Sequence, residues 1–217
     1  MTERPGWPAP AAPAADVAGA RDAWAGAVTL VTVADGRDDV GVTVSAFCPV
    51  SAQPPLVLVS LMSGSYLEEL FGRAEDPVTR FAVTLLGAGQ RVLAGRFAAA
   101  GRPGARLMLD DVPHRRGPAC GALIPEGGLA ALECAAERLV TAGDHVLVIA
   151  GITGVPYVTG SGEPLIRFRR RYLPARLPLG PRPVRASLRP GGPPARRRRP
   201  AGRRGGRPGR RATARPA

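Results

Sequence analysis

Hydroxyl side chains and glycine gather between residues 41 and 65. In Gly41-Val42-Thr43-Val44-Ser45-Ala46-Phe47, Thr43 and Ser45 share one face of an extended segment, because side chains alternate with a period of two. Gly41 allows close approach to its backbone. Such hydroxyls and free N–H groups suit an anion or a planar ring rich in acceptors. Taken alone, they describe a hydroxyl-decorated strand edge equally well. Further on, Ser60 ends an apolar run and precedes Ser63-Gly64-Ser65 and a helical stretch. A helix start with free N–H groups is a natural phosphate site, and Ser65 is as well suited to plain N-capping. Gly143-Asp144-His145 stands at the mouth of another apolar run. His145 is the histidine set in a motif; His114, beside Arg115-Arg116, reads as a surface-loop residue. Asp110-Asp111 reads as a turn pair, and Cys48 as a small packing residue beside the hydroxyl-rich turn. Glu133 and Glu137 would face one side of a strand, with nothing nearby to suggest acid–base work. The cysteines Cys48, Cys120 and Cys134 form no Cys/His cluster, so no metal site is expected.

The elements that hold these groups are mostly strands. Asp16 is placed to cap a helix over about residues 17–25. Residues 27–34 alternate and end at Asp35-Gly36, and residues 40–47 follow as the second arm of a hairpin. A hydroxyl-rich turn then leads to Pro54-Pro55, which blocks a helix, and 56–61 is a strand too apolar to be half exposed. A short helix runs from Ser65 through Phe71, a strand over 80–86, and a helix over 90–100 with Val92, Leu93 and Phe97 on one face. Residues 101–128 are Gly/Pro-rich and irregular. Residues 129–139 have helical propensity but are assigned to a strand, because a barrel context overrides a weak prior. Strands over 145–155 and 165–172 complete the set. Many short strands with few helices indicate a mainly β, barrel-like fold.

The chain has 217 residues and a net charge of +13, which suggests nucleic acid until the charge is mapped. All 17 acidic residues precede Pro174, together with 16 of the 30 arginines; the other 14 arginines follow it. The body over 16–173 is therefore near neutral, and the basicity belongs to residues 174–217, which also hold 10 Pro and 7 Gly. That segment is expected to be a disordered tail, since it cannot bury enough surface to offset its ordering entropy. It lacks aromatic stacking platforms, so non-specific polyanion contact is the most its chemistry supports. The complete absence of lysine fits a coding-composition bias. Residues 1–15 read as a flexible leader without a signal-peptide pattern, no apolar run approaches a membrane span, and a cytoplasmic protein is expected.

The order of motifs resembles the flavin reductase-like family with the FMN-binding split β-barrel of Greek-key type. The residues that carry the resemblance are Gly41-Val42-Thr43, Ser45-Ala46-Phe47, Ser51-Ala52-Gln53-Pro54-Pro55, Phe81-Ala82-Val83-Thr84-Leu85-Leu86, Arg96-Phe97-Ala98, Leu132-Glu133-Cys134, Gly143-Asp144-His145 and Arg169 to Tyr172. They span about 24–173. The resemblance implies a homodimer that uses NADH or NADPH to reduce FMN (or FAD), supplying a separate monooxygenase component. Flavin contacts would fall on Val40, Gly41, Val42, Thr43, Ser45, Ala46, Ser60, Leu61, Met62, Ser65, Arg96 and Phe97, with Ser65 and Arg96 at the phosphate end. His145 would be the catalytic histidine beside the nicotinamide, and Phe168, Arg169, Arg170 and Arg171 would line the dinucleotide pocket. Two positions depart from the family pattern: Thr84 replaces an Asn, and Arg170 replaces a Gly. Both are expected to alter the pocket. Rival readings are a split-barrel protein that keeps its flavin for another substrate, and a polyanion binder acting through the tail.

Overall fold

A computed structural model describes residues 12–36, 38–72 and 79–175, all within the unit Met1–Pro183. The second unit, Val184–Ala217, and the expected tail beyond Ala175 lie outside the described residues, while Pro174 and Ala175, expected in that tail, belong to the folded body. The elements are α1 (Ala14–Asp22), β1 (Gly26–Ala27), β2 (Thr29–Val33), β3 (Val40–Val44), β4 (Phe47–Ala52), β5 (Pro55–Met62), α2 (Tyr66–Gly72), β6 (Arg80–Leu85), α3 (Arg91–Ala98), α4 (Ala105–Met108), β7 (His114–Arg116), β8 (Leu123–Pro125), β9 (Ala130–Ala142), β10 (His145–Val158), β11 (Leu165–Phe168) and β12 (Arg171–Pro174).

Seven strands form one antiparallel sheet in the order β3-β2-β6-β9-β10-β5-β4. Its two edges, β3 and β4, are joined by Ser45 and Ala46 alone. Three Cα–Cα steps reach about 11 Å at most, so the sheet must roll until its edges nearly meet. It does not close by strand pairing. One bond crosses the seam region, from the Ser60 N–H on β5 to the Ala46 carbonyl at 3.0 Å. The connection from β5 through α2 to β6 passes the positions of β9 and β10, a crossover of Greek-key type.

The rolled sheet buries a core on each face. Val31, Val33, Val57, Val59, Leu61, Phe81, Val83, Val148 and Ala150 fill the inside, covered by Leu67, Leu70 and Phe71 of α2. Their period of two along each strand is what an interior requires. On the other face Val28, Leu30 and Leu86 pack against Leu93, Ala94 and Phe97 of α3 and Ala105, Met108 and Leu109 around α4. β2 is consequently buried at all five positions. Two small sheets, β1-β11-β12 and β7-β8, flank the body.

Several local expectations change. The expected strand over 40–47 breaks after Val44, which frees Ser45 and Ala46 from the ladder. The hydroxyl-rich turn after it is strand β4, paired with β5 around Gln53-Pro54. α1 starts at Ala14, inside the expected leader, and Asp16 lies in its first turn rather than at the cap, where Pro13 sits. The region over 101–128 contains α4, β7 and β8, so His114 is an exposed strand residue. The expected strand over 165–172 is the β11–β12 hairpin, and the Ala175 N–H bonds the Pro164 carbonyl at 2.9 Å, carrying the body to residue 175. Residues 129–139 form a strand as expected, although the ladder starts at Ala130 and extends to Ala142.

Candidate active site

A cavity lies at the seam. Ser45 and Ala46 leave the ladder there, and residues of α1 and of the β11–β12 hairpin supply much of the remaining wall. The resulting pocket, of about 450 Å³, is lined by Ala18, Arg21, Asp22, Trp24, Gly26, Ser45, Ala46, Arg167, Arg169 and Arg170. That volume is in the range of small-molecule sites. Gly26 suits the wall, because a Cβ there would come within 3.1 Å of the Ser45 carbonyl. Trp24 is 77% exposed and presents its indole at the rim. The hairpin is tied to α1 by the Arg169 N–H, which donates to the Asp22 carbonyl at 3.0 Å. The Arg169 guanidinium lies 5.2 Å from the centre of the Phe168 ring.

The neighbouring end of the sheet brings in a second group. Ser60 touches the seam through its bond to Ala46. Two residues on, Met62 pairs with His145 on β10. The His145 Nδ1 is 2.7 Å from Asp144 Oδ1. An ionised carboxylate only accepts, so Nδ1–H donates and Nε2 is left for a ligand. The His145 bond, and then its charge, hold the Asp144 carboxyl below the usual range, with a smaller contribution from Arg21 of the pocket wall. Ser45, Ala46, Arg169 and Arg170 share the pocket wall, Ser60 is bonded to Ala46, and Met62 and His145 follow at the same end of the β5–β10 pair. Phe168, Arg169, Arg171 and Leu173 border a second, more open recess. Leu61 points into the core.

Other candidates do structural work. Phe97 is fully buried, and a Cβ on Gly41 would collide with its ring. The glycine's close approach is therefore to α3, and any ligand contact at Phe97 falls on its backbone. The Thr43 hydroxyl donates to the Ala94 carbonyl at 2.8 Å, fastening β3 to the same helix. Val40 and Val42 pack on the inner core. Arg96 spends its guanidinium fork on Asp111, at 2.5 and 2.7 Å. Ser65 accepts the Glu68 N–H at 3.3 Å, while Glu68 takes the Gly64 N–H at 2.6 Å. The Gly64 and Glu68 N–H groups at this helix start are thus met by the chain itself. Thr84 is buried beside the Tyr157 hydroxyl and Gly128, outside the pocket lining, so that departure bears on packing. Arg170 is in the lining, and that departure bears on the pocket.

Sequence reasoning passed over Trp24, Arg21 and Arg167. They lie outside the motifs, and only α1 and the hairpin bring them to the seam. Glu133 is buried and accepts the Ala119 and Cys120 N–H groups at 2.7 and 2.9 Å, which makes it a loop anchor. Burial pushes the Cys120 thiol up to about 11 and the Cys134 thiol up to about 12, so neither is a nucleophile at neutral pH. Among the described residues no cluster of His, Cys, Asp and Glu could hold a metal ion.

The sequence model of the flavin reductase like domain matches residues 21–176. The chain belongs to that family. It is 35% identical over 125 residues to the NADH-dependent FAD reductase of Streptomyces globisporus, covering 58% of this chain and 66% of the relative. It is 34% identical to an NADH-dependent FMN reductase of Streptomyces nodosus subsp. asukaensis, covering 67% and 76%. Identity to the reductase component of 4-hydroxyphenylacetate 3-monooxygenase from Thermus thermophilus is 31%, covering 69% and 88%. Among solved structures, the NADH:FAD oxidoreductase of Streptomyces globisporus in complex with NAD and FAD fragments superposes with a TM-score of 0.65 at 28% identity, covering 73% of this chain and 90% of that one. The family match includes His145 and every lining residue of the seam pocket except Ala18. The mainly β, split-barrel type of fold with a few short helices that the resemblance implies is the one found.

Proposed function

We propose that this protein is a flavin reductase that uses NADH to reduce FMN or FAD, working as a homodimer in the cytoplasm and supplying reduced flavin to a separate monooxygenase component. The observation that carries this reading is the seam pocket. There Ser45 and Ala46, expected on the flavin side, meet Arg169 and Arg170, expected on the dinucleotide side. The pocket's donor set fits a phosphorylated aromatic ligand, with the Trp24 indole for stacking, the Ser45 hydroxyl as a polar contact and the arginines for phosphate. The NADH-dependent flavin reductases among its relatives point the same way.

When bound, the nicotinamide supplies a hydride and the flavin accepts it, so the hard chemistry belongs to the cofactors. The protein's part is to hold two rings face to face, exclude water and steady the charge that grows on reduction. His145, held by Asp144, offers a ring of fixed orientation at the end of β10. No carboxylate in the lining is set up as a general acid or base, and Asp22 serves the site through its backbone carbonyl. Among the described residues no helix is long and apolar enough to cross a membrane.

The test is NADH oxidation followed side by side with FMN, FAD and riboflavin. The expected result is turnover that rises with added flavin and saturates. Purified protein that neither binds flavin nor oxidises NADH under any of these conditions would overturn the proposal.

A further inference from the structure

We propose that Arg21, Arg167, Arg169 and Arg170 form a subsite for a phosphomonoester dianion, in which Arg170 sets the preference for ligands that carry such a group. The inference rests on the reading of the seam as the nucleotide-binding pocket. It adds which chemical group the pocket selects and which residue does so.

The first support is the state of the four guanidiniums. Elsewhere in the body three arginines are paired with carboxylates, Arg96 with Asp111 at 2.5 Å and Arg106 and Arg116 with Asp39 at 2.9 and 2.8 Å, and Arg80, Arg102 and Arg115 bond backbone carbonyls. Among the described residues, none of the four pocket arginines has a carboxylate partner. The single acidic lining residue, Asp22, makes no ion pair there either. Four like charges around one concavity repel one another, and their field favours an anion inside. A guanidinium offers a planar fork of donors that matches phosphate oxygens, and several forks suit a dianion better than the single charge of a phosphodiester.

The second support is the backbone that carries two of them. Phe168 pairs with Arg171, so Arg169 and Arg170 form a two-residue hairpin loop. Their φ values are 47° and 63°, both left-handed. That is the turn type in which Asn-Gly is favoured and long side chains are strained. Two arginines there cost the hairpin stability, and strain of this kind gathers at functional sites. Because the Arg169 N–H is fixed to α1 through Asp22, the turn holds both arginines at the pocket before any ligand arrives.

The experiment measures ligand affinity by calorimetry for the wild type, Arg170→Gly and Arg170→Lys at low salt. Each phosphomonoester ligand is compared with its counterpart lacking that group: FMN with riboflavin, NADPH with NADH, and 2′,5′-ADP with adenosine. Glycine suits the φ of 63°, so Arg170→Gly is expected to fold and to melt at a higher temperature than the wild type. It should bind the monoester member of at least one pair about tenfold more weakly than its counterpart, relative to the wild-type ratio. Arg170→Lys should fall between, and the difference should shrink as salt is added. A loss confined to FMN places the flavin phosphate in the subsite. A loss on NADPH and 2′,5′-ADP places the 2′-phosphate there. Either outcome supports the proposal. Equal changes within every pair, or none, overturn it. If riboflavin and NADH both fail to bind wild-type protein while 2′,5′-ADP still binds through Arg170, the reductase reading fails and the subsite stands.

Discussion

In the proposed reaction the cofactors carry the chemistry, and His145 with Asp144 need only present a ring of fixed orientation. Asp144 is 89% exposed, so its bond to the histidine orients the ring more than it stabilises the fold. His145→Ala is therefore expected to leave flavin affinity within about twofold and to slow hydride transfer by about ten- to a hundredfold. Single-turnover reduction of bound flavin by NADH, followed at the flavin absorbance band, separates the two effects. A variant that loses flavin affinity while keeping its hydride-transfer rate would make His145 a flavin ligand. The same scale explains why Arg96 and Thr43 looked like ligand contacts. A fork for oxyanions and a hydroxyl on a strand are chemically apt, but whether their partners are Asp111 and the Ala94 carbonyl or a ligand depends on contacts 15 and 51 residues away in the chain.

Elements are joined in this protein by buried polar ties as well as by apolar packing. Asp39, in the β2–β3 turn, is 1% exposed and accepts from Arg106 of α4 and Arg116 of β7, with φ at 49°. Burial alone would raise its pKa, yet the bonds from Arg106, Arg116 and the Asp35 N–H together bring it below the usual value. A folded-state pKa below the unfolded one stabilises fully above the unfolded value, near 4, and the stabilisation is lost as pH falls through the folded value. Asp39→Asn should cost about 2–3 kcal/mol at neutral pH, and the gap in melting temperature from wild type should narrow as pH falls below about 4. A gap independent of pH between 7 and 3 would show that the charge is not what matters. In the sequence Asp39 was one of two acids after a turn signal, and nothing local marks it out. Strand pairing was legible where apolar residues alternate or run unbroken, as in β2, β5 and β10. It was legible in β9 only by setting helix propensity aside. β4 escaped notice because Ser, Pro and Ala on an edge strand look like a turn when the β5 partner is not yet known. The pocket's motif residues were legible, but Trp24, Arg21 and Arg167 were not. Their role depends on how α1 and the hairpin fold over the seam, which no spacing along the chain reveals.

At the scale of the whole molecule, the rolled sheet leaves one end of its longest strands uncovered. On one face of the sheet Val140 on β9 is 40% exposed and Met62 on β5 is 66% exposed. β10 lies between these strands and pairs with both: Val140 with Leu147, and His145 with Met62. An apolar patch that borders His145 in this way is a surface a monomer would leave wet, and the proposed homodimer gives it a cover. Since a two-fold interface uses the same patch on both subunits, charge placed there is felt twice. Val140→Glu with Met62→Glu should convert a species of twice the 22.5 kDa chain mass into one of that mass, as read by light scattering. Its circular dichroism should be unchanged, because both side chains are already partly in water. Wild-type protein that scatters as a single chain at micromolar concentration while reducing flavin at full rate would remove the dimer from the proposal. It would also require His145 to work beside open solvent.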